Sequence, residues 1–286
     1  MDKPRTVREY AWRTLIKLVP ENRLGDKIYS FVQFILRHKR IPTKSLIFND
    51  VLYQIKVSEE ITDPLRVYVS DKEFVKLYIK AVVGEQFSIP TIKILRTLSE
   101  VEAYDFPRNC CIKPSHVSGT VILRKNNEPI SLEEIKGWFS INHYQVGREA
   151  NYKALKPKVI VEPLLFGDSN ILDYKVFCYK GRPRLIQVDI DRYIDHTRKY
   201  FDTDWNELDF SINYRRCPKH LEKPDNFEEM LSVAAKLSEG FSFVRIDLYS
   251  DGKTCQVGEI TNCSESATGI FIPRSAEKIA SRIIFG

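Results

Sequence analysis

Hydrophobic positions along this chain recur with two different periods. In the first hundred residues they return every three to four positions, as on the buried stripe of a helix. From Asn109 onward, short apolar runs and two-residue alternations take over, as in strands. Residues 8–38 read as mainly helical, and "IPTKSLIFNDV" (41–51) reads as a connector. Ser70-Asp71-Lys72-Glu73 has the form of a capping box opening a helix to about Val83, with Gly84 as the stop. "CCIKP" then predicts a short strand, "SHVSGT" a polar loop and "VILRK" a second strand closed by Asn126-Asn127. Ser131 to Glu134 is another capping box, for a helix to about Ser140. "KVIVEPLL" (158–165) predicts a buried strand ended by Pro163, and residues 173–192 a hairpin turning at Lys180-Gly181. A helix over about 226–237, a hairpin over 243–261 and a last helix at about 275–284 complete the chain. Antiparallel hairpins with flanking helices make this an α+β pattern, not a βαβα series.

The hairpin "FVRIDLYSDGKTCQVGEIT" carries Arg245, Asp247 and Glu259 among apolar residues. Alternation puts Arg245 and Asp247 on one face, with Val244, Ile246 and Leu248 on the other. A two-residue Asp-Gly loop would put Glu259 on the wrong face. A three-residue loop, Ser250-Asp251-Gly252, pairs Tyr249 with Lys253 and gathers all three charges. Two clustered carboxylates repel unless a cation lies between them, and magnesium suits such a pair. An arginine beside them suits an oxyanion. The plain alternative is a solvated strand face with a salt bridge.

Composition narrows the classes. The chain has 286 residues, 43% hydrophobic and 29% charged, enough for a sizeable core in two or three lobes. The longest apolar run, "IYSFVQFIL", is far short of the roughly 20 residues that span a bilayer. No apolar core follows the N-terminal charges, so no signal peptide is expected, and six cysteines without a C-x-x-C pair fit a reduced, cytoplasmic protein. Residues 1–40 hold ten Lys/Arg against four Asp/Glu, the whole of the net +6. The balanced remainder excludes a basic nucleic-acid groove. The arm, with Tyr10, Trp12, Leu15, Ile16 and Leu18, has two readings: a helix packed on the body, or a peripheral contact with the inner face of a membrane.

Taken in order, these elements carry a resemblance. Lys113 ends a strand before a Ser/Gly loop, a buried strand ends in Glu162, a D-Y-K strand follows, and R-x-D precedes Glu259 by twelve positions from the Asp. This order resembles the ATP-grasp ligases, and most of all their TupA-like branch, named for teichuronopeptide synthesis and found among bacterial surface-polysaccharide genes. "SDKEFVKLYI", "DYKVFCYKG" and "FVRIDLY…GEIT" carry it best. The resemblance implies ATP held between two antiparallel-sheet lobes. Its boundaries are a helical N-terminal region at 1–108, a lid at 109–165 and a core with the metal-binding hairpin at 166–286. It implies Lys113 and Lys175 at the ATP phosphates, backbone amides of Ser118, Gly119 and Thr120 as a phosphate flap, and Glu162 through Leu164 at the adenine. It further implies magnesium on Asp247 and Glu259, and Arg245 at the oxyanion of a tetrahedral intermediate. Asp71, Lys72, Arg192, His196 and Thr261 are candidates for the substrate side. Thr261, followed by Asn262, stands where many ATP-grasp enzymes carry Asn, and "NCSESATG" (262–269) replaces a more Gly/Pro-rich stretch.

The implied reaction joins a carboxylate, expected to be a uronic acid on a sugar or glycan, to a small-molecule amine through an acylphosphate. A sugar kinase on the same ATP site and a non-catalytic glycan-assembly protein are the alternatives. A glycosyltransferase is disfavoured, because Asp189-Ile-Asp191 sits inside a hairpin. Each site residue also has a plain reading. Lys113 could be a strand-end surface lysine, Glu162 a strand terminus, Asp71 and Lys72 a capped first turn, and Lys175 a partner of Asp189. The charged run 189–205 could be a solvated loop.

Overall fold

The computed structural model describes residues 19–165, 172–191 and 194–286. Helix α1 (Arg23–His38) is capped by Asn22, whose side chain accepts from Gly25 N at 2.9 Å. The span read as a connector holds the start of a second helix, α2 (Phe48–Val57), whose Phe48, Leu52 and Ile55 enter the core. Next come α3 (Pro64–Ser70) and α4 (Phe74–Val82). Here the expected cap is displaced by one residue. Ser70 closes α3 with its hydroxyl on Arg66 O, and Asp71 accepts from Glu73 N at 2.9 Å. Then follow β1 (Lys93–Leu95), α5 (Leu98–Ala103), β2 (Cys110–Pro114), β3 (Ile122–Arg124), α6 (Leu132–Gly137), α7 (His143–Gly147) and β4 (Val159–Glu162). Ser131 caps α6 by accepting from Glu134 N at 3.1 Å, one half of the box read there, and Thr97 with Glu100 makes a full capping box at α5.

The remaining elements are β5 (Leu172–Tyr179), β6 (Arg182–Ile190), β7 (Thr197–Phe201), β8 (Glu207–Leu208), β9 (Ser211–Ile212), α8 (Phe227–Ser238), β10 (Phe243–Ser250), β11 (Cys255–Thr261), β12 (Phe271–Ile272) and α9 (Ala276–Phe285). The β5–β6 turn falls at Lys180-Gly181, both left-handed (φ 50° and 75°), as a tight hairpin requires. The charged run after β6 is not a solvated loop throughout: Thr197–Phe201 is a buried inner strand. Its positive charges are tolerated because they are paired across the sheet.

A small antiparallel sheet runs β1-β4-β2-β3, and a large one β11-β10-β5-β6-β7-β8. In the large sheet, Val176, Val188, Val244, Ile246 and Leu248 face a core shared with α4 and α8. The other face is divided. Phe177, Leu185, Tyr200 and Phe243 pack under α1, α2 and α9. Farther along, the same face carries Asp173, Lys175, Asp189, Arg198, Arg245, Asp247 and Glu259, because those residues fall on the alternate positions of the same strands.

Glu259 reaches that face by a route different from the expected one. Ser250 pairs with Cys255, not Tyr249 with Lys253, so the loop has four residues, 251–254. Asp251 accepts from Lys253 N and Thr254 N, and Gly252 is left-handed at φ 91°. That register alone would turn Glu259 away. A bulge between Asp247/Leu248 and the facing strand inserts one residue and sets Glu259 opposite Asp247. The residue left over is Gly258, where a Cβ would lie 2.6 Å from the Tyr249 ring. Gly258→Val should therefore cost about 1–3 kcal/mol of stability and lower turnover by disturbing Glu259. Thermal melting and activity of the purified variant check this; an unchanged melt would mean that the ring simply swings aside.

Candidate active site

Four cations converge on Glu259 from two directions. From the large sheet come Arg245 and Lys175; from the small sheet and the turn before α4 come Lys113 and Lys72. Burial pushes the Glu259 carboxyl up, but Lys72, Arg245, Lys175 and Lys113 outweigh it and hold the pKa at about 2. Its side chain keeps 32% exposure, between Lys113 of the small sheet and Lys175 and Arg245 of the large one. Asp247, directly opposite, is nearly closed off. Arg245 grips it with two bonds of 2.6 Å, and Lys175 Nζ lies 3.8 Å away. Burial, with Glu259 beside it, pushes Asp247 upward against those cations.

Arg245 also donates to Ser264 Oγ (2.8 Å) and Thr261 Oγ1 (3.1 Å), so its plane is fixed by packing and hydrogen bonds before any ligand arrives. Thr261 donates onward to Glu259 at 3.3 Å. Asn262 does not stand in for the missing Asn. Its side chain turns to the opposite side, donating to Arg66 O and Ser70 Oγ and accepting from Arg66. Lys175 does pair with Asp189 (3.1 Å), and with Asp173 as well. It is thus the centre of three acids, Asp173, Asp189 and Asp247, rather than a partner in a single cross-strand bridge.

On the small sheet, Cys110, Ile112, Val159 and Val161 point into the core with Trp138. The alternate positions, Lys113 and Glu162, point away from it. Glu162 is 2% exposed and bridges Lys113 (2.7 Å) and Lys76 (2.6 Å). Lys76 was not singled out in the sequence, though it lies four residues beyond Lys72. Its ammonium is completed by Ile89 O and Thr91 Oγ1, each at 2.8 Å. Ser118 and Gly119 form the exposed tip of the loop after β2, with Thr120 partly exposed. Gly119 is left-handed (φ 82°), with open space around it. Leu164 is half-buried beyond Pro163.

The substrate-side candidates divide. Lys72 belongs to the site: it donates to Val117 O at the root of the flap and acts on Glu259. Asp71 does not; its oxygens are taken by Glu73 N and by Lys158 at 2.8 Å, so it serves the start of α4. His196 lies 3.4 Å from Asp189 and packs on Tyr214 with ring centres 3.9 Å apart. Arg192 lies outside the described residues.

Among the described residues, no group of three or more His, Cys, Asp or Glu is assembled around a point where a metal would sit. Asp247 and Glu259 form a two-carboxylate pair. Such a pair fits magnesium arriving with a nucleotide, since that ion takes one or two protein carboxylates and fills its shell from phosphate and water.

A family model described as TupA-like ATPgrasp matches residues 52–284. Comparison with curated proteins returns no match. Among solved structures, the chain is similar to D-alanine–D-alanine ligase from Helicobacter pylori, with 16% identity and a TM-score of 0.41 over 77% of this chain and 62% of that one. It is similar to a D-cycloserine synthetase, with 18% identity and a TM-score of 0.39 over 82% and 78%. It is also similar to an L-amino acid ligase from Bacillus licheniformis, with 13% identity and a TM-score of 0.41 over 77% and 48%. The chain spans about three fifths of the length of the first of these, and likenesses at this level add nothing to what the family model says.

Proposed function

This chain belongs to the TupA-like ATP-grasp family, and from that premise we propose that it is an ATP-dependent carboxylate–amine ligase. Its product is an amide on a sugar, with a uronic acid as the carboxylate partner, in the making of a bacterial surface polysaccharide. The observation that carries the chemistry is the convergence of Lys72, Lys113, Lys175 and Arg245 on the half-open Glu259. That surplus of positive charge suits a polyphosphate.

In this reading Glu162 and the backbone through Leu164 hold the adenine, and the backbone of Ser118-Gly119-Thr120 folds over the phosphates. Lys113 reaches the phosphates from the small sheet and Lys72 from the turn before α4. Lys175 steadies Asp247. Asp247 and Glu259 would hold magnesium, which when bound neutralises charge on the phosphates. A substrate carboxylate oxygen attacks the γ-phosphorus, the bond to ADP breaks, and an acylphosphate results. Arg245, fixed by Asp247 and Ser264, faces the acyl oxygen as it gains charge. The amine then attacks the acyl carbon, and phosphate departs. The closed flap keeps water from the acylphosphate.

The test is ADP release from magnesium-ATP with a panel of uronic acids, with and without pooled amino acids and ethanolamine. Amine-dependent release is expected. Release with neutral sugars and no amine would make the protein a kinase, and failure to bind ATP in a direct titration would remove the enzyme reading.

A further inference from the structure

A second group of titratable side chains stands near Arg245 and Glu259 and is unused by the steps above. It comes from α7 and the turn after it: His143, Glu149 and Tyr152, backed by Lys56 of α2 and by Ser266. The His143 and Tyr152 rings meet edge to face with centres 4.5 Å apart. Ser266 Oγ accepts from Lys56 Nζ at 2.8 Å and donates to the Glu149 carboxylate. Gly147 packs closely on this group: a Cβ there would stand 2.9 Å from Ser266 Oγ and 3.3 Å from Glu149 Oε1.

This group is anchored from behind. Asn151 donates to Ser70 Oγ at 2.8 Å, and Arg148 with Tyr144 is tied to Asp26 of α1. It is also tied to the reaction centre. The turn 264–267 holds Arg245 through Ser264 and Glu149 through Ser266. Glu265, Ser266 and Ala267 are all left-handed (φ 52°, 53°, 60°), a strain of about 1–3 kcal/mol each. Arg198 on Glu265, Lys56 on Ser266 and His38 on Ala267 O keep the turn in place. Tyr152 lies between the two ends, close enough to Glu149, Glu259 and Arg245 for each to act on its hydroxyl.

The two ends have opposite character. Arg245 attracts an acyl oxygen and repels an ammonium. Glu149 is a partly exposed carboxylate that burial pushes up and Lys56 with Ser266 pulls back down, near the Tyr152 ring; a carboxylate beside an aromatic ring favours a cation by ion pairing and cation–π attraction. His143, held down at about 4 by burial, Lys72 and His116, is a neutral imidazole near pH 7 and adds no repulsion. We infer that Glu149 and Tyr152, flanked by His143, form the subsite for the amine cosubstrate, a small molecule that docks as its ammonium with the nitrogen turned toward the acyl carbon at Arg245. The inference rests on the ligase reading above. On docking, the ammonium gives one proton to Glu149 and exposes its lone pair. The C–N bond forms, the acyl C–O bond to phosphate breaks, and phosphate leaves with the electron pair and a second proton from nitrogen.

The experiment compares wild type, Glu149→Gln and Tyr152→Phe in two assays. One traps the acylphosphate with hydroxylamine, using glucuronate, galacturonate and UDP-glucuronate as acids. The other measures amide formation with the amine pool. Expected is a split: KM for the amine rises about tenfold or more while hydroxamate formation falls less than about threefold. An unchanged amine KM in both variants, or equal loss in both assays with unaltered melting, would overturn the subsite and leave the ligase reading standing. Absence of hydroxamate from the wild type with every acid would overturn the ligase reading, and the subsite with it.

Discussion

Glu259→Gln should lower kcat for ADP release by about 10²–10³-fold while the protein stays folded. The amide fills the same space and leaves the Asp247 pairing of β11 in place. What disappears is the one half-exposed negative charge on which Lys72, Arg245, Lys175 and Lys113 converge. Because Glu259 is held at about 2, below the usual carboxylate range, its contribution to stability is fully present above that range and is lost as pH falls through about 2. The variant should therefore melt a few degrees lower near neutral pH, with a gap that closes in acid. Assayed well below either midpoint, the loss of turnover is then chemical. Activity within a few-fold of wild type would refute the assignment of Glu259 to the phosphates and their magnesium.

The second large effect is on stability. Glu162→Ala should cost about 3–5 kcal/mol, the penalty for removing one member of a buried charge cluster. Lys76 would keep its carbonyl and hydroxyl partners, but Lys113 would be left with its nearest counter-charge gone. At about 2–4 °C per kcal/mol, the melting midpoint should fall by roughly 6–20 °C. The pH dependence gives a further check. Burial pushes Glu162 up, Lys113 and Lys76 pull it down further, and the net result is a lowered pKa. Its stabilisation is thus present above the ordinary carboxylate pKa and fades as pH drops below it, so wild type and variant should converge in acid. Scanning calorimetry at several pH values measures this, and a difference under about 1 kcal/mol near neutrality would mean that the cluster is effectively hydrated.

Most elements were legible because their signals are local. Lys180-Gly181 fixes a tight turn, Ser131 caps a helix, and alternation sorts Arg245 and Asp247 from Val244 and Ile246. The position of Glu259 was legible in outcome and not in cause. Parity put it on the correct face, yet the loop has four residues and the bulge at Gly258 supplies the compensating one. A bulge depends on which neighbour fills the gap, here the Tyr249 ring, and such contacts leave no periodic trace. The strand at Thr197–Phe201 was hidden for a related reason: Arg198 and Lys199 read as solvated until Asp189 and Glu207 are placed across from them. Lys76, Glu149 and Tyr152 were silent because nothing local separates a site residue from a surface one.

The anchoring of α1 bears on what counts as the unit of cooperative folding. The family model begins at residue 52, but the packed core extends upstream of it. Phe34 shares a core with Phe48, Phe177 and Phe243. Arg37 and His38 hold Thr268 O and Ala267 O, and Asp26 neutralises Arg148. A chain trimmed to the matched span would expose that aromatic core on one side, strand Arg148 on another, and loosen the turn that carries Ser264 and Ser266. The segment outside the recognised span is thus mechanically continuous with the reacting centre, and sequence similarity stops short of the boundary that thermodynamics draws.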